Sequence, residues 1–168
     1  MGWNNYRVDF LLFFCYNNEP RGDNMNVIFL DFNGVLDTYD NMDVIDENNL
    51  NILLNVINLT ESKIVITSSN KDYFYRNGRH NEIMNNLINV LSSYGVVVLG
   101  YTKKLGSREE EVIDYLNTHP EIQHYCIIDD DYFFESMSDH LVKLTSQNEG
   151  GNGLIETNKD EIIRKLHI

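Results

Sequence analysis

The sequence is poor in thiols, prolines and positive charge, and each shortage excludes something. Only Cys15 and Cys126 are cysteines among 168 residues, too few for a disulfide framework, so a reducing cytoplasm is the expected setting. Lysine and arginine total 13 against 26 aspartates and glutamates, a formal charge of −13. With no basic patch to track a phosphate backbone, a generic nucleic-acid binder is disfavoured, although a phosphate substrate held by a metal is not. No apolar stretch approaches the roughly 18 residues that span a membrane. The five histidines show no metal-ligand spacing, and Gly150-Gly151-Asn152-Gly153 lacks the lysine and flanking strand of a phosphate-binding loop, so a flexible turn is expected there.

Hydrophobic content of 42% with 23% charged residues is ordinary for one globular domain with a real core. The N-terminal run Phe10-Leu11-Leu12-Phe13-Phe14-Cys15-Tyr16 is too short for a span and lacks a cleavage site. Met25 stands directly before the first strand-like run, so translation is expected to begin there. Residues 1–24 would then be an extension outside the domain 25–168, with an added edge strand as the structural alternative.

From Met25 the pattern alternates strand and helix with short connections, which predicts a parallel sheet. Strands are expected at 26–31, 63–67, 96–99, 124–129 and 141–144. A helix from an Asp46 N-cap buries Leu50, Leu53, Leu54 and Ile57, and a second over 80–94 buries Ile83, Leu87, Val90 and Leu91 before Gly95 stops it. Ser107-Arg108-Glu109-Glu110 reads as a capping box opening a helix to Asn117, and a last helix from Thr157 or Asn158 buries Ile162, Ile163 and Leu166.

Polar residues gather where these strands end. Asp31 and Asn33 follow the first, with Gly34 permitting a tight turn; Thr67, Ser68 and Ser69 follow the second; Lys103 and Lys104 the third; Asp129, Asp130 and Asp131 the fourth. In open α/β sheets the ligand crevice lies outside these C-terminal ends. Converging hard oxygen ligands suit Mg²⁺, a free aspartate beside it suits attack on phosphorus, and hydroxyls and a lysine suit phosphoryl oxygens. Taken singly, either acidic run also reads as a solvated turn.

The order Asp31-Phe32-Asn33-Gly34-Val35, a strand-end hydroxyl, a lysine and an acidic pair resembles the haloacid dehalogenase superfamily of phosphohydrolases. More narrowly, Leu99-Gly100-Tyr101-Thr102, Arg108 with Glu110-Glu111-Val112, Ile127 through Asp131 and the late pair Gly153-Leu154 resemble domains of Swiss Army Knife-type RNA repair proteins. The resemblance implies a Rossmann-like three-layer α/β/α sandwich with a five-stranded parallel sheet. It makes Asp31 the nucleophile that forms an aspartyl-phosphate, Ser68 the phosphate-binding hydroxyl in preference to Thr67, and Lys103, in preference to Lys104, the cation. Mg²⁺ would be held by Asp31, the Asn33 main-chain carbonyl, Asp130 and Asp129. Ser69, Lys71 and Gly34 fall with the substrate-binding residues.

Two departures stand out. Asn33 replaces the superfamily's second aspartate, which serves as general acid and base, and an amide cannot exchange a proton in that way. Asn70-Lys71 replaces a Trp-Arg pair, and lysine cannot make arginine's planar bidentate contact. About thirty residues separate successive motifs, too few for a cap domain, so the site is expected to be open to a large phosphorylated substrate such as a nucleotide or RNA end. A short lid of Tyr73, Phe74, Tyr75, Arg76 and Arg79 is the alternative. Two functions follow: a Mg²⁺-dependent phosphohydrolase with altered acid-base chemistry, for which Asp37 is the first substitute proton carrier, or a non-catalytic module binding Mg²⁺ and phosphate.

Overall fold

Val27, Ile28, Phe29 and Leu30 are fully buried, and a strand apolar on both faces belongs in the middle of a covered parallel sheet. A computed structural model, which describes residues 25–73 and 79–167, shows that arrangement. The expected N-terminal extension and the side chains of the expected lid lie outside the described residues. The elements run β1 (Met25–Leu30), α1 (Glu47–Thr60), β2 (Lys63–Ile66), α2 (Arg79–Ser93), β3 (Val98–Tyr101), α3 (Arg108–Thr118), β4 (Ile122–Asp129), β5 (Leu141–Lys143) and α4 (Glu156–Lys165). All five strands are parallel, in the order β3-β2-β1-β4-β5.

Strand alternation divides the core in two. Ile28, Leu30, Ile64, Ile66 and Ile128 pack with Leu53 and Val56 of α1, Met84 and Leu87 of α2 and Ile162 of α4. Val27, Phe29, Val65 and Ile127 face the other way, onto Val112 of α3 and onto Phe134 and Met137. Right-handed crossovers account for this: connections running from β1 to β3 lie on one face, and those returning through β4 to β5 lie on the other. No described helix is long and apolar enough to cross a membrane.

Local signals set most boundaries. Asp46 caps α1 by accepting from the Asn48 and Asn49 amides, and Ser107 with Glu110 forms the expected capping box of α3. Strand β3 begins two residues later than expected. Gly95, at φ 75°, ends α2 with Val96 turned into the core. Val97 is 51% exposed and gives the sheet only its carbonyl, to the Ile64 amide (2.9 Å). Helix α4 begins at Glu156, one residue early, because Asn158 reaches back to accept from the Ile155 amide (2.9 Å).

The ladder continues past the strands at one end of the sheet. The Asp31 amide donates to Ile128 O, that of Thr67 to Leu30 O and that of Thr102 to Ile66 O, at 3.1, 2.9 and 3.0 Å. These bonds hold the four polar strand ends side by side.

Candidate active site

Asp31, Asp129 and Asp130 offer carboxylate oxygens that lie within 4.8 Å of one another, the one such acidic group among the described residues. All three are buried. Asp31 Oδ1 accepts from the Phe32 amide (2.7 Å), and Asp129 Oδ1 accepts from the Asp131 and Tyr132 amides (2.9 and 2.8 Å). Asp130 Oδ2 accepts from the Gln147 amide (2.7 Å). Asp129 Oδ2, by contrast, is buried with no hydrogen-bond partner among the described residues.

Crowding three carboxylates out of water disfavours their charges. Burial first, and Asp31 second, push Asp129 up to about 7. Burial likewise raises Asp31 against the lowering pull of Arg108, the Phe32 amide, Ser68 and Lys71, and it raises Asp130. A buried oxygen without a donor, inside a cluster of hard ligands whose charges repel, fits a divalent cation such as Mg²⁺. Gly34, at φ 71°, completes the cradle: a Cβ there would overlap the Asp130 carboxylate, and the left-handed backbone itself disfavours other residues.

Beside this cluster lies a second polar group in the opposite condition. Asp37 is fully buried, and four donors reach its carboxylate: the Gly34 amide (2.6 Å) and Gln147 Nε2 (3.1 Å) on Oδ1, the Asp43 amide (2.8 Å) and Asn33 Nδ2 (2.9 Å) on Oδ2. An acceptor so enclosed holds the loop in place, and its oxygens are committed to these donors rather than to a leaving group. Asn33 Nδ2 also donates to Asp43 Oδ1 (3.1 Å), and Asn33 Oδ1 accepts from Asn70 Nδ2 (2.7 Å). Asn33, which departs from the superfamily pattern, and Asn70, which with Lys71 departs from that of the RNA-repair relatives, are therefore hydrogen-bonded to each other.

Lys103 and Lys104, which follow the third strand, are both exposed. Lys103 points outward, with its side chain 72% exposed, and pairs with Asp114 at 3.2 Å. Arg108, the first residue of α3, is instead buried beside the strand ends, because the capped N-terminus of that helix returns toward them. It lowers Asp31 more than any other neighbour, donates through Nη2 to Ser69 Oγ (2.8 Å), and stacks on Tyr132 with its Cζ 4.7 Å from the ring centroid. Its Nη1 is buried without a hydrogen-bond partner among the described residues. Lys71 is also buried and donates to Glu111 Oε2 (2.8 Å) and Thr67 O (3.2 Å). Glu111 thus ties Lys71 to Arg108, whose Nε lies 3.8 Å from the same oxygen.

Ser68 is buried and its hydroxyl lowers Asp31, whereas Ser69 lies at the surface. Together with Asp31, Asn33, Asp130, Asp131, Tyr132, Gln147 and Asn148 these serines line an open cleft of about 200 Å³. Arg108 carried a legible signal, since a capping box after the third strand places its first helical residue at the strand tips. The roles of Asn70 and Gln147 carried none, because they depend on contacts 37 and 110 residues away in sequence.

No curated protein and no solved structure matches the chain. Residues 27–151 match the family described as the HAD domain in Swiss Army Knife RNA repair proteins, a superfamily of phosphohydrolase type that generally uses Mg²⁺. That match takes in all five strands, apart from Met25 and Asn26 of β1, and every residue of the cleft. With the fold, it shows that the chain belongs to the HAD domains of Swiss Army Knife RNA repair proteins.

Proposed function

We propose that the protein is a Mg²⁺-dependent phosphohydrolase that works through an aspartyl-phosphate at Asp31. The observation that carries this is the buried Asp129 Oδ2, without a partner among the described residues, within an acidic triad that includes the expected nucleophile. Asp31, Asp129, Asp130 and the Asn33 main-chain carbonyl would hold the ion. When bound, it supplies charge neutralisation for the triad and the phosphoryl group. A carboxylate oxygen of Asp31 attacks phosphorus and the ester oxygen leaves with the bond electrons. Water then attacks the aspartyl-phosphate, releasing inorganic phosphate and restoring Asp31. Arg108 Nη1 and the Ser68 hydroxyl are the groups that receive phosphoryl oxygens.

Proton transfer is the weak step. Asn33 has no proton to give, and its amide is held by Asp37, Asp43 and Asn70. Aryl phosphates, whose leaving groups depart unprotonated, are turned over better than alkyl phosphates, and phosphoenzyme accumulates. The open cleft admits a nucleotide or RNA end, and the cytoplasm is the expected place of action. The test is a phosphatase screen with Mg²⁺ on the chain and on Asn33→Asp. The variant gains roughly 10²-fold on alkyl phosphates, the low end of what a general acid contributes. Rapid alkyl-phosphate hydrolysis by the unchanged chain overturns the proton-transfer account.

The complete hydrogen bonding of the Asn33 amide favours a second reading, a module that binds Mg²⁺ and phosphate without turnover. Tight phosphate binding with no phosphoenzyme from any substrate selects it.

A further inference from the structure

Phe133 is 82% exposed and Tyr132 is 43% exposed, yet the turn that carries them is firmly held. On one side Asp129 Oδ1 accepts from the Asp131 and Tyr132 amides. On the other, Glu109 of α3 accepts from the Glu135 amide (3.2 Å), the Ser136 amide (2.7 Å) and the Ser136 hydroxyl (2.6 Å). Lys143 Nζ donates to the Tyr132 carbonyl (3.3 Å) between them. Phe134, the next residue, is 1% exposed and anchors the turn in the core beneath. An exposed aromatic on a loose loop needs no explanation, but two adjacent ones held outward from both flanks form a preorganised surface.

The surface adjoins the phosphate end of the cleft. Tyr132 lines that cleft with Asp31 and Ser68. Arg108 connects the two: its guanidinium covers one face of Tyr132, and its charge acts on Asp31. Lys143 Nζ lies 4.8 Å from the centroid of the Phe133 ring, so each aromatic is paired with a cation. This is the combination by which proteins hold a base next to its phosphate, with a ring to stack on and positive charge beside it.

We infer that Tyr132 and Phe133 form a stacking platform for a nucleobase attached to the phosphate in the cleft. The inference rests on the phosphomonoester reading and narrows it to nucleotides, either free or at a nucleic-acid end. Arg108 is the residue that fixes the distance between the two halves of the ligand, since it touches the platform and serves the phosphate.

The test is equilibrium binding to the whole chain with Mg²⁺, independent of turnover. The probes are ribose 5-phosphate, adenosine 5′-monophosphate, adenosine 3′-monophosphate and a 5′-phosphorylated hexaribonucleotide. At least one adenosine monophosphate binds about tenfold tighter than ribose 5-phosphate, the scale of one stacked base. Tyr132→Ala with Phe133→Ala brings that ratio close to one, and Tyr132→Phe with Phe133→Tyr preserves it. A hexamer that binds tighter than both mononucleotides identifies a nucleic-acid end, and one that binds no tighter identifies a free nucleotide. A ratio near one in the unchanged chain overturns the platform even where aryl phosphates are hydrolysed. Retention of a tenfold ratio by the double alanine variant overturns it as well. Base-dependent binding without hydrolysis retains the platform and removes only the enzymatic reading. Failure of every probe to bind removes both.

Discussion

Two acidic groups that share Gln147 as a donor are in opposite states. Asp37 is buried with four donors on its two oxygens. The triad of Asp31, Asp129 and Asp130 is buried too, but one oxygen of Asp129 has no partner among the described residues, and all three carboxyls are pushed above the usual carboxylate range, chiefly by burial. Burial alone therefore does not distinguish a working carboxylate from a structural one. Satisfaction does: Asp37 is a finished joint, whereas the triad keeps one buried oxygen without a partner among the described residues, which the proposed cation would satisfy.

The comparison can be broken at either group. Asp31→Asn removes the attacking oxygen and brings aryl-phosphate turnover down to background, a loss of at least about 10³-fold, measured with phosphoenzyme trapping. If that variant retains activity, the nucleophile lies elsewhere. At the other group, Asp37→Ala leaves four donors without their acceptor and costs about 3 kcal/mol. Thermal melting shows this as a fall of roughly 10 °C for a domain of this size. A fall of only a degree or two contradicts the structural role of Asp37. The smallest effect belongs to Lys103→Ala. Its exposed pair with Asp114 is worth less than about 1 kcal/mol, and aryl-phosphate turnover is unaltered because the Lys103 side chain points away from the cleft.

The same contrast explains what was legible in the sequence. Val27 through Leu30 and Tyr125 through Asp129 identify themselves as buried strands with acidic tips, because an apolar run ending in carboxylates has few other uses in a parallel sheet. Capping at Asp46 and Ser107 is equally local, and both were readable. Lys103 comes two residues after β3 in sequence, but its side chain is exposed and reaches Asp114 of α3. Arg108 comes five residues later and is returned to the site by the helix. Asn33 reads as a loss when viewed alone. Its bond to Asn70, which departs from the family pattern as well, becomes visible only when β1 and β2 are side by side. The Gly153-Leu154 pair also acquires a physical reason: the Leu154 amide donates to Val35 O (3.0 Å), and a side chain at Gly153 would strike Asn49 and Val35.

Melting temperature against pH, with and without Mg²⁺, is the sharpest test of the triad as a cation site. Asp129 titrates at about 7 in the fold against an ordinary 3.8, so the fold favours its protonated form. Its contribution to stability is present below pH 3.8 and is lost as pH rises through about 7. Without metal, melting temperature therefore falls across that window. A cation that binds only the folded state restores it, so the increment given by Mg²⁺ is larger at pH 7.5 than at pH 4.5. Asp129→Asn flattens the metal-free decline and removes most of the increment. An increment equal in Asp129→Asn and the unchanged chain, or none in either, contradicts the central claim.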